Sequence, residues 1–447
     1  MKSCKLCLAA ALSLVVLLCA CTKQDPQALL ASARQYLEKQ DYRAAAIQLK
    51  NALDEDASLA EARYLLGTAL LRQQDGVGAE LEFRKAIAAG FPAEGVQPDL
   101  ARALLAQGKM KELVAEFRDT QIESAPAQAT LKTMLASAYA STNDLRRAQV
   151  SIDAALEAAP DDMDALLMQA RIQAARNDAN AALKTVEQVI AASPDPSTAL
   201  ALKANLLLYA KRQPEQALTV YQKLVDSYPK FVPGYAGMLG ILLDRNELDR
   251  SAALLKTMQE FAPGASETRY FEAQLAYQKT DYRTAADLLQ QLMKNAPDNP
   301  RFLQLAGAVA FQTKAYVQAA AYLSKALQAA PELEFARRIL IGTHLATGNP
   351  RRALETLPAS FNENSSDAEL LALAGQAHLQ NGDGKQAEAL LARAAKLDPD
   401  SAAKRTSLAL AHLYGGKSEQ ALVELRDIAR TDEGATADTQ LVGLYLR

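Results

Sequence analysis

The chain has 447 residues, of which 49% are hydrophobic and 23% charged, so it carries enough apolar surface for folded cores and is not a disordered chain. Lys and Arg number 49 against 52 Asp and Glu, a formal net charge of −3, which makes it a poor electrostatic match for DNA or RNA and removes nucleic acid from its expected partners. Its four cysteines, Cys4, Cys7, Cys19 and Cys21, all precede residue 22, so the body has no disulfide framework and no cysteine-based zinc site.

The first predicted element is an export signal. Lys2 and Lys5 form a short positive region, and an apolar run follows over residues 6–20. Its ~15 residues fall short of the ~20 that a spanning helix needs. The run closes with Leu18-Cys19-Ala20-Cys21, which resembles a bacterial lipobox: Leu at −3, a small residue at −1, then the cysteine that is lipidated. Cys19 is the poorer acceptor, because bulky Leu18 stands directly before it. Thr22 follows Cys21, where Asp would favour retention at the inner membrane, so the resemblance implies the outer membrane, facing the periplasm. The alternative is an ordinary cleaved signal. The expected layout is a signal peptide over 1–20, a lipidated tether over 21–25 and membrane attachment through Cys21.

The rest of the chain is one pattern repeated. Turn-and-helix pairs start at 26, 60, 94, 129, 163, 198, 232, 266, 300, 334, 368 and 402, and a further start falls at 436. The step is 34 residues ten times and 35 twice. Position 20 of the repeat is small almost throughout, as at Ala45, Ala79, Ala148, Ala217, Ala319 and Ala387, where two helices must cross closely. Position 24 is apolar throughout, as at Leu49, Phe83, Phe117, Tyr221, Leu323, Leu357 and Leu391, as a core-facing site requires. Position 8 is small in most repeats, with Asn205, Leu239 and Ile341 as departures. Proline at position 32, as at Pro160, Pro229, Pro297 and Pro399, stops the second helix. The period and pattern resemble the tetratricopeptide repeat. The expected fold is all-α: a superhelical solenoid of antiparallel helix pairs with helices of 12–14 residues, twelve repeats over 26–435 and the first helix of an incomplete thirteenth over 436–447. Pro358 should cut the second helix of repeat 10 short, and the open last repeat is expected either to come from a truncated or fragmentary version of a longer protein or to dock its last helix on something else.

Little in the body supports catalysis. His344, His378 and His412 each occupy position 11 of successive repeats. Equivalent helices lie ~8–10 Å apart, too far for ligand nitrogens that must sit ~2.0–2.1 Å from one ion. Gly416-Lys417-Ser418 lacks the earlier glycine of a phosphate-binding loop and sits in an interhelical turn. No nucleophile, metal or dinucleotide motif appears, so we expect no enzyme, no metal and no cofactor.

What remains is surface. The repeat resemblance implies that positions 2, 5, 9 and 12 of the first helices line a concave groove. Position 12 carries Tyr209, Leu243, Tyr277 and Phe311, and position 5 carries Leu202 and Tyr270. These six residues are the candidate partner surface, since aromatics are common interface anchors. Packing between successive first helices is the competing account of the same residues.

A narrower resemblance comes from the segments over 29–71, 82–90 (EFRKAIAAG) and 100–117 (LARALLAQGKMKELVAEF), placed just after a lipobox. They resemble the PEP-CTERM system TPR-repeat lipoprotein family (PrsT-type). That resemblance implies a non-catalytic envelope scaffold in exopolysaccharide biosynthesis or export, or in exosortase protein sorting, with envelope proteins as partners. Two alternatives stay open: a lipoprotein of another envelope assembly machine, such as outer-membrane protein or pilus biogenesis, and direct polysaccharide binding in the groove.

Overall fold

The structure, a computed structural model, describes residues 25–362 and 364–431. The expected signal peptide, the lipidation site Cys21 and the incomplete thirteenth repeat lie outside the described residues. Within them there are α-helices and one π-helical turn, and no strand. None of these helices is long and apolar enough to cross a membrane. The chain divides into two compact units, which join in sequence at Tyr228 and Pro229, where the repeat pattern led us to expect one continuous domain. In an array whose repeats touch mainly their neighbours, a cut between two repeats crosses few contacts. Each unit is described by itself.

Among its described residues the first unit holds six helix pairs. They are α1 (Pro26–Glu38) with α2 (Tyr42–Glu55), α3 (Ala60–Arg72) with α4 (Gly76–Ala88), and α5 (Ala93–Ala106) with α6 (Met110–Phe117). Then come α7 (Ala125–Ser141) with α8 (Leu145–Ala158), α9 (Met163–Ala175) with α10 (Ala179–Ala192), and α11 (Ser197–Asn205) with α12 (Pro214–Ser227). Among its described residues the second unit also holds six. They are α13 (Val232–Asp244) with α14 (Leu248–Phe261), α15 (Ser266–Gln278) with α16 (Tyr282–Asn295), and α17 (Pro300–Gln312) with α18 (Tyr316–Ala329). The last three are α19 (Glu334–Ala346) with α20 (Pro350–Glu355), α21 (Ala368–Gln380) with α22 (Gly384–Leu397), and α23 (Ala402–Tyr414) with α24 (Ser418–Thr431).

One turn design recurs inside every pair. A single residue takes positive φ at Gln40, Gln74, Gly108, Asn143, Asn177, Arg212, Asn246, Thr280, Lys314, Gly348, Gly382 and Gly416. In six repeats the next residue is an aspartate that caps the second helix. Asp41 accepts from the Ala44 N–H, Asp144 from that of Arg147 and Asp281 from that of Thr284, satisfying a backbone donor that the helix leaves free.

In three repeats the closeness of the pair is set between positions 8 and 24, sixteen residues apart. A methyl group added to Gly67 would meet the Phe83 ring at 2.6 Å. On Gly307 it would meet Leu323 at 2.5 Å, and on Gly375 Leu391 at 2.6 Å. All three large partners are fully buried, as are the position-20 residues Ala79, Ala319 and Ala387. Apolar clusters then run from pair to pair. In the first unit Phe83, Leu104, Leu113 and Leu131 join repeats 2 to 4, and Val186 and Leu202 join repeats 5 and 6. In the second, Leu323 and Leu340 join repeats 9 and 10.

Two second helices are short. Helix α20 stops at Glu355, ahead of Pro358, as the proline predicts. Ile341, a bulky departure at position 8, is fully buried in one cluster with Ala353 and Leu357. Helix α6 has only 8 residues, against the 12–14 expected of its repeat. Its continuation is replaced by a loop whose Ile122 is buried in the core. Helix α7 begins early, at Ala125, behind Ser124 and with Pro126 in its first turn.

Glu80 ties repeats 2 and 3 together. Its Oε2 accepts from Lys109 Nζ and from Gln107 Nε2, both at 2.8 Å, and its Oε1 from Arg84 Nε at 3.0 Å. Burial raises the carboxyl pKa, but these hydrogen bonds outweigh it and hold the group at about 2. A depressed folded-state pKa stabilises above the unfolded value of 4.5 and loses that contribution as pH falls toward about 2. Replacing Glu80 with Gln should therefore lower the thermal midpoint at pH 7 and flatten the fall in midpoint between pH 5 and pH 2, a change read by circular dichroism.

Close crossing makes a second prediction. Gly307→Leu should destabilise by ~1–3 kcal/mol or more, because Leu323 has no room to yield. A methyl group added to Gly240, inside α13, would meet no heavy atom within 4 Å, so Gly240→Ala should stabilise by about 1 kcal/mol through helix propensity alone. Urea unfolding of the two variants checks both signs.

Candidate interaction surface

Leu202 and Tyr209 belong to the first unit, on repeat 6. That repeat departs from its neighbours at position 8, where Asn205 replaces a small residue. Position 24 is Tyr221, which is only 1% exposed. A phenol buried there needs a hydrogen-bond partner, and its hydroxyl donates to Asn205 Oδ1 at 2.6 Å. Burial pushes the Tyr221 pKa upward. The two unusual side chains therefore answer one another. Directly after Asn205 the helix widens into a π-helical turn, Leu206–Ala210, in which the Lys211 N–H reaches back to the Leu206 carbonyl at 3.0 Å. π-Helical turns are rare and recur at functional sites, and this one closes α11.

Tyr209 lies on that turn and is 75% exposed. Beside it is an open cavity of about 610 Å³, lined by Asn177, Asn205, Leu206 and Arg212 among others. Leu202, by contrast, is buried in the core with Leu167 and Val186. Of the two residues expected at the surface of this unit, only Tyr209 is there.

The other four candidates belong to the second unit. Leu243 is 1% exposed and so offers no face to a ligand. Tyr270 is also buried: its ring meets Phe271 edge-on at 5.5 Å and Phe302 at 5.8 Å. The Arg301 guanidinium lies 4.3 Å from the centre of the Tyr270 ring. Burial raises the Tyr270 pKa and Arg301 partly offsets it. Tyr277 and Phe311 are half-buried, and each packs across its own turn, Tyr277 on Tyr282 at 5.8 Å and Phe311 on Tyr316 at 5.7 Å. The expectation of a surface at Leu202, Leu243 and Tyr270 is thus corrected. A position-5 or position-12 side chain that faces the next first helix is covered by it. The second unit has its own crevice of about 440 Å³, lined by Tyr282, Leu289, Met293, Val309 and Tyr322 among others, which the first-helix positions did not point to. Its residues come mostly from α16 and α18, where no groove positions were sought.

The histidines sit singly. His378 Nδ1 is 3.3 Å from Asp383 Oδ2, and His412 Nδ1 is 2.7 Å from Glu424 Oε2. Among the described residues no group of three or more His, Cys, Asp or Glu side chains could hold a metal ion.

The tetratricopeptide repeat family model matches residues 30–93, 133–197, 167–231 and 270–334, more than half of the chain, and a second tetratricopeptide repeat model matches residues 344–410. The chain belongs to the tetratricopeptide repeat family. Tetratricopeptide repeat proteins are typically non-catalytic scaffolds that bind other proteins. Among solved structures, the chain is similar to one described as the crystal structure of the APC/C hetero-tetramer Cut9–Hcn1, with a TM-score of 0.56 and 15% sequence identity over 94% of this chain and 90% of that one. At that identity the likeness shows the fold alone. No curated protein matches the chain.

The geometry separates the candidates by stability. Tyr270→Ala should cost about 3 kcal/mol or more, as aromatic truncations in cores do. Tyr209→Ala should stay within about 0.5 kcal/mol, as exposed substitutions do. Thermal and urea unfolding of the two variants distinguishes them.

Proposed function

We propose that the chain is a lipid-anchored envelope scaffold that holds protein partners, in exopolysaccharide biosynthesis or export or in PEP-CTERM protein sorting. The membership of the tetratricopeptide repeat family supports the scaffold role. The signal-like N-terminus with Cys21 in a lipobox supports the anchor and the periplasmic setting, and the segments over 29–117 support the pathway. The observation that carries the binding surface is Tyr209: a large aromatic side chain, 75% exposed on a π-helical turn beside an open cavity. A ring held on a rigid helix loses little conformational freedom on binding, which is what makes tyrosine an effective anchor.

Crosslinking in intact cells followed by capture of the full chain tests the reading. Tyr209→Ala should deplete specific envelope proteins from the captured set while the thermal midpoint is unchanged. An unchanged captured set would exclude Tyr209 as an anchor, and loss of a polysaccharide instead of a protein would favour the sugar-binding alternative. In parallel, Cys21→Ser should move the protein out of the membrane fraction and remove the acyl mass from its N-terminus. Continued membrane fractionation with no acyl mass on the wild-type chain would contradict the anchor.

A further inference from the structure

The early end of α6 leaves its flank open. The loop that replaces it, together with α7 and α8, surrounds a cavity of about 1010 Å³. Four cationic side chains line it, Arg118, Lys132, Arg146 and Arg147, with three carboxylates, Asp119, Asp144 and Glu157. Arg118 is paired with Asp119 at 3.0 Å and Arg147 with Asp144 at 3.3 Å. Among the described residues Lys132 and Arg146 have no carboxylate within ion-pairing distance, and Glu157 is the one lining carboxylate left without a cation.

Lys132 is the unusual member. It is 7% exposed, and its Nζ donates to the Thr120 carbonyl at 3.0 Å. An ammonium group has three protons to give. A charge buried with so little compensation is costly, and burial indeed holds its pKa below the ordinary lysine value, with Asp119 acting in the opposite direction. An anion arriving in the cavity would supply the missing compensation. The wall is already in place to receive it. Gln128 Oε1 accepts from the Ile122 N–H at 3.0 Å and Gln128 Nε2 donates to Gln121 Oε1 at 2.8 Å, so the loop is clipped to α7. A preformed wall spares the ligand the cost of ordering it. Tyr139 and Val150 add apolar surface, with the Arg147 guanidinium 5.9 Å from the centre of the Tyr139 ring.

We propose that this cavity binds an acidic segment of a protein partner, with a carboxylate drawn to Lys132 and Arg146 and neighbouring side chains resting on Tyr139 and Val150. The inference rests on the scaffold reading and adds the chemistry of one of its contacts. The size agrees with a short peptide segment, since ligand sites commonly enclose ~300–1,000 Å³. The alternation of charged and aliphatic wall favours a peptide over a sugar acid, which has no comparable apolar side chains.

The test uses the full chain and fluorescein-labelled hexapeptides read by anisotropy. One peptide alternates Glu and Leu, its twin alternates Gln and Leu, and oligogalacturonate serves as the acidic sugar. The Glu peptide should bind about tenfold more tightly than its Gln twin, and Arg146→Glu and Lys132→Met should each weaken it about tenfold, as loss of a charge partner does. Arg146 is exposed, so its variant remains folded and decides the matter if Lys132→Met does not fold. Equal binding of the two peptides, or a Glu peptide indifferent to Arg146→Glu, would overturn the proposal. So would oligogalacturonate binding with both peptides silent. If neither peptide binds while partner capture through Tyr209 persists, the cavity proposal falls and the scaffold reading stands.

Discussion

How closely two helices of a repeat can cross depends on one pair of side chains: the large residue at position 24 of the second helix and the residue at position 8 of the first. Where position 24 is Phe83, Leu323 or Leu391, position 8 is Gly67, Gly307 or Gly375, and even a methyl group would sit inside van der Waals contact. Interiors are packed as densely as organic crystals, so such a contact has almost no slack. Much of the remaining structure follows. Position 20 is small in every repeat but the third, where Leu113 stands beside the shortened α6, the turn takes a positive φ at one residue, and in six repeats an aspartate beside it caps the second helix. Repeats that keep this geometry can stack by joining their apolar faces, since one pair alone cannot bury them.

Both places of functional interest arise where the rule is kept by other means or the second helix gives out. In repeat 6 the phenol of Tyr221 stands in for an aliphatic side chain, Asn205 supplies its partner, and a π-helical turn follows that carries Tyr209 outward. In repeat 3 the second helix ends after 8 residues, and the uncovered flank becomes the cavity around Lys132. A regular array would offer a partner the same face many times over. Departures of this kind make individual repeats distinguishable, and a scaffold that must seat particular partners at particular places needs such distinctions.

The helix pairs were legible in the sequence because a 34-residue period averages over many weak local signals, so that Ala45, Ala79, Ala148 and their equivalents reinforce one another. The effect of Pro358 on α20 was legible for a simpler reason: proline acts through the backbone, whatever surrounds it. The early end of α6 was not, because nothing in residues 118–124 forbids a helix. It ends there because Ile122 finds a place in the core, and that is a tertiary fact. The candidate surface was only partly legible. Position 12 looks the same in sequence at Leu243 and Tyr209, yet one is covered and the other is raised on the π-helical turn. The signal for the difference was present at Asn205 and Tyr221, but it is visible only when positions 8 and 24 are read as a pair sixteen residues apart.

The claim that positions 8 and 24 are chosen jointly is tested most directly by a double-mutant cycle on repeat 6. Asn205→Ala leaves the buried Tyr221 hydroxyl without its partner, and Tyr221→Leu leaves the Asn205 amide without its own. Asn205→Ala should cost about 1–3 kcal/mol, the penalty of stranding a buried polar group, whereas Tyr221→Leu should cost less, because Asn205 is exposed and water can replace the phenol. The double variant restores the Ala and Leu pairing that serves other repeats. By this account its urea-unfolding stability should be closer to that of the unaltered chain than the Asn205→Ala variant, with a coupling energy of about 1 kcal/mol or more. Losses that simply add would show that the two positions act independently, and the crossing would have to be explained by something other than their mutual fit.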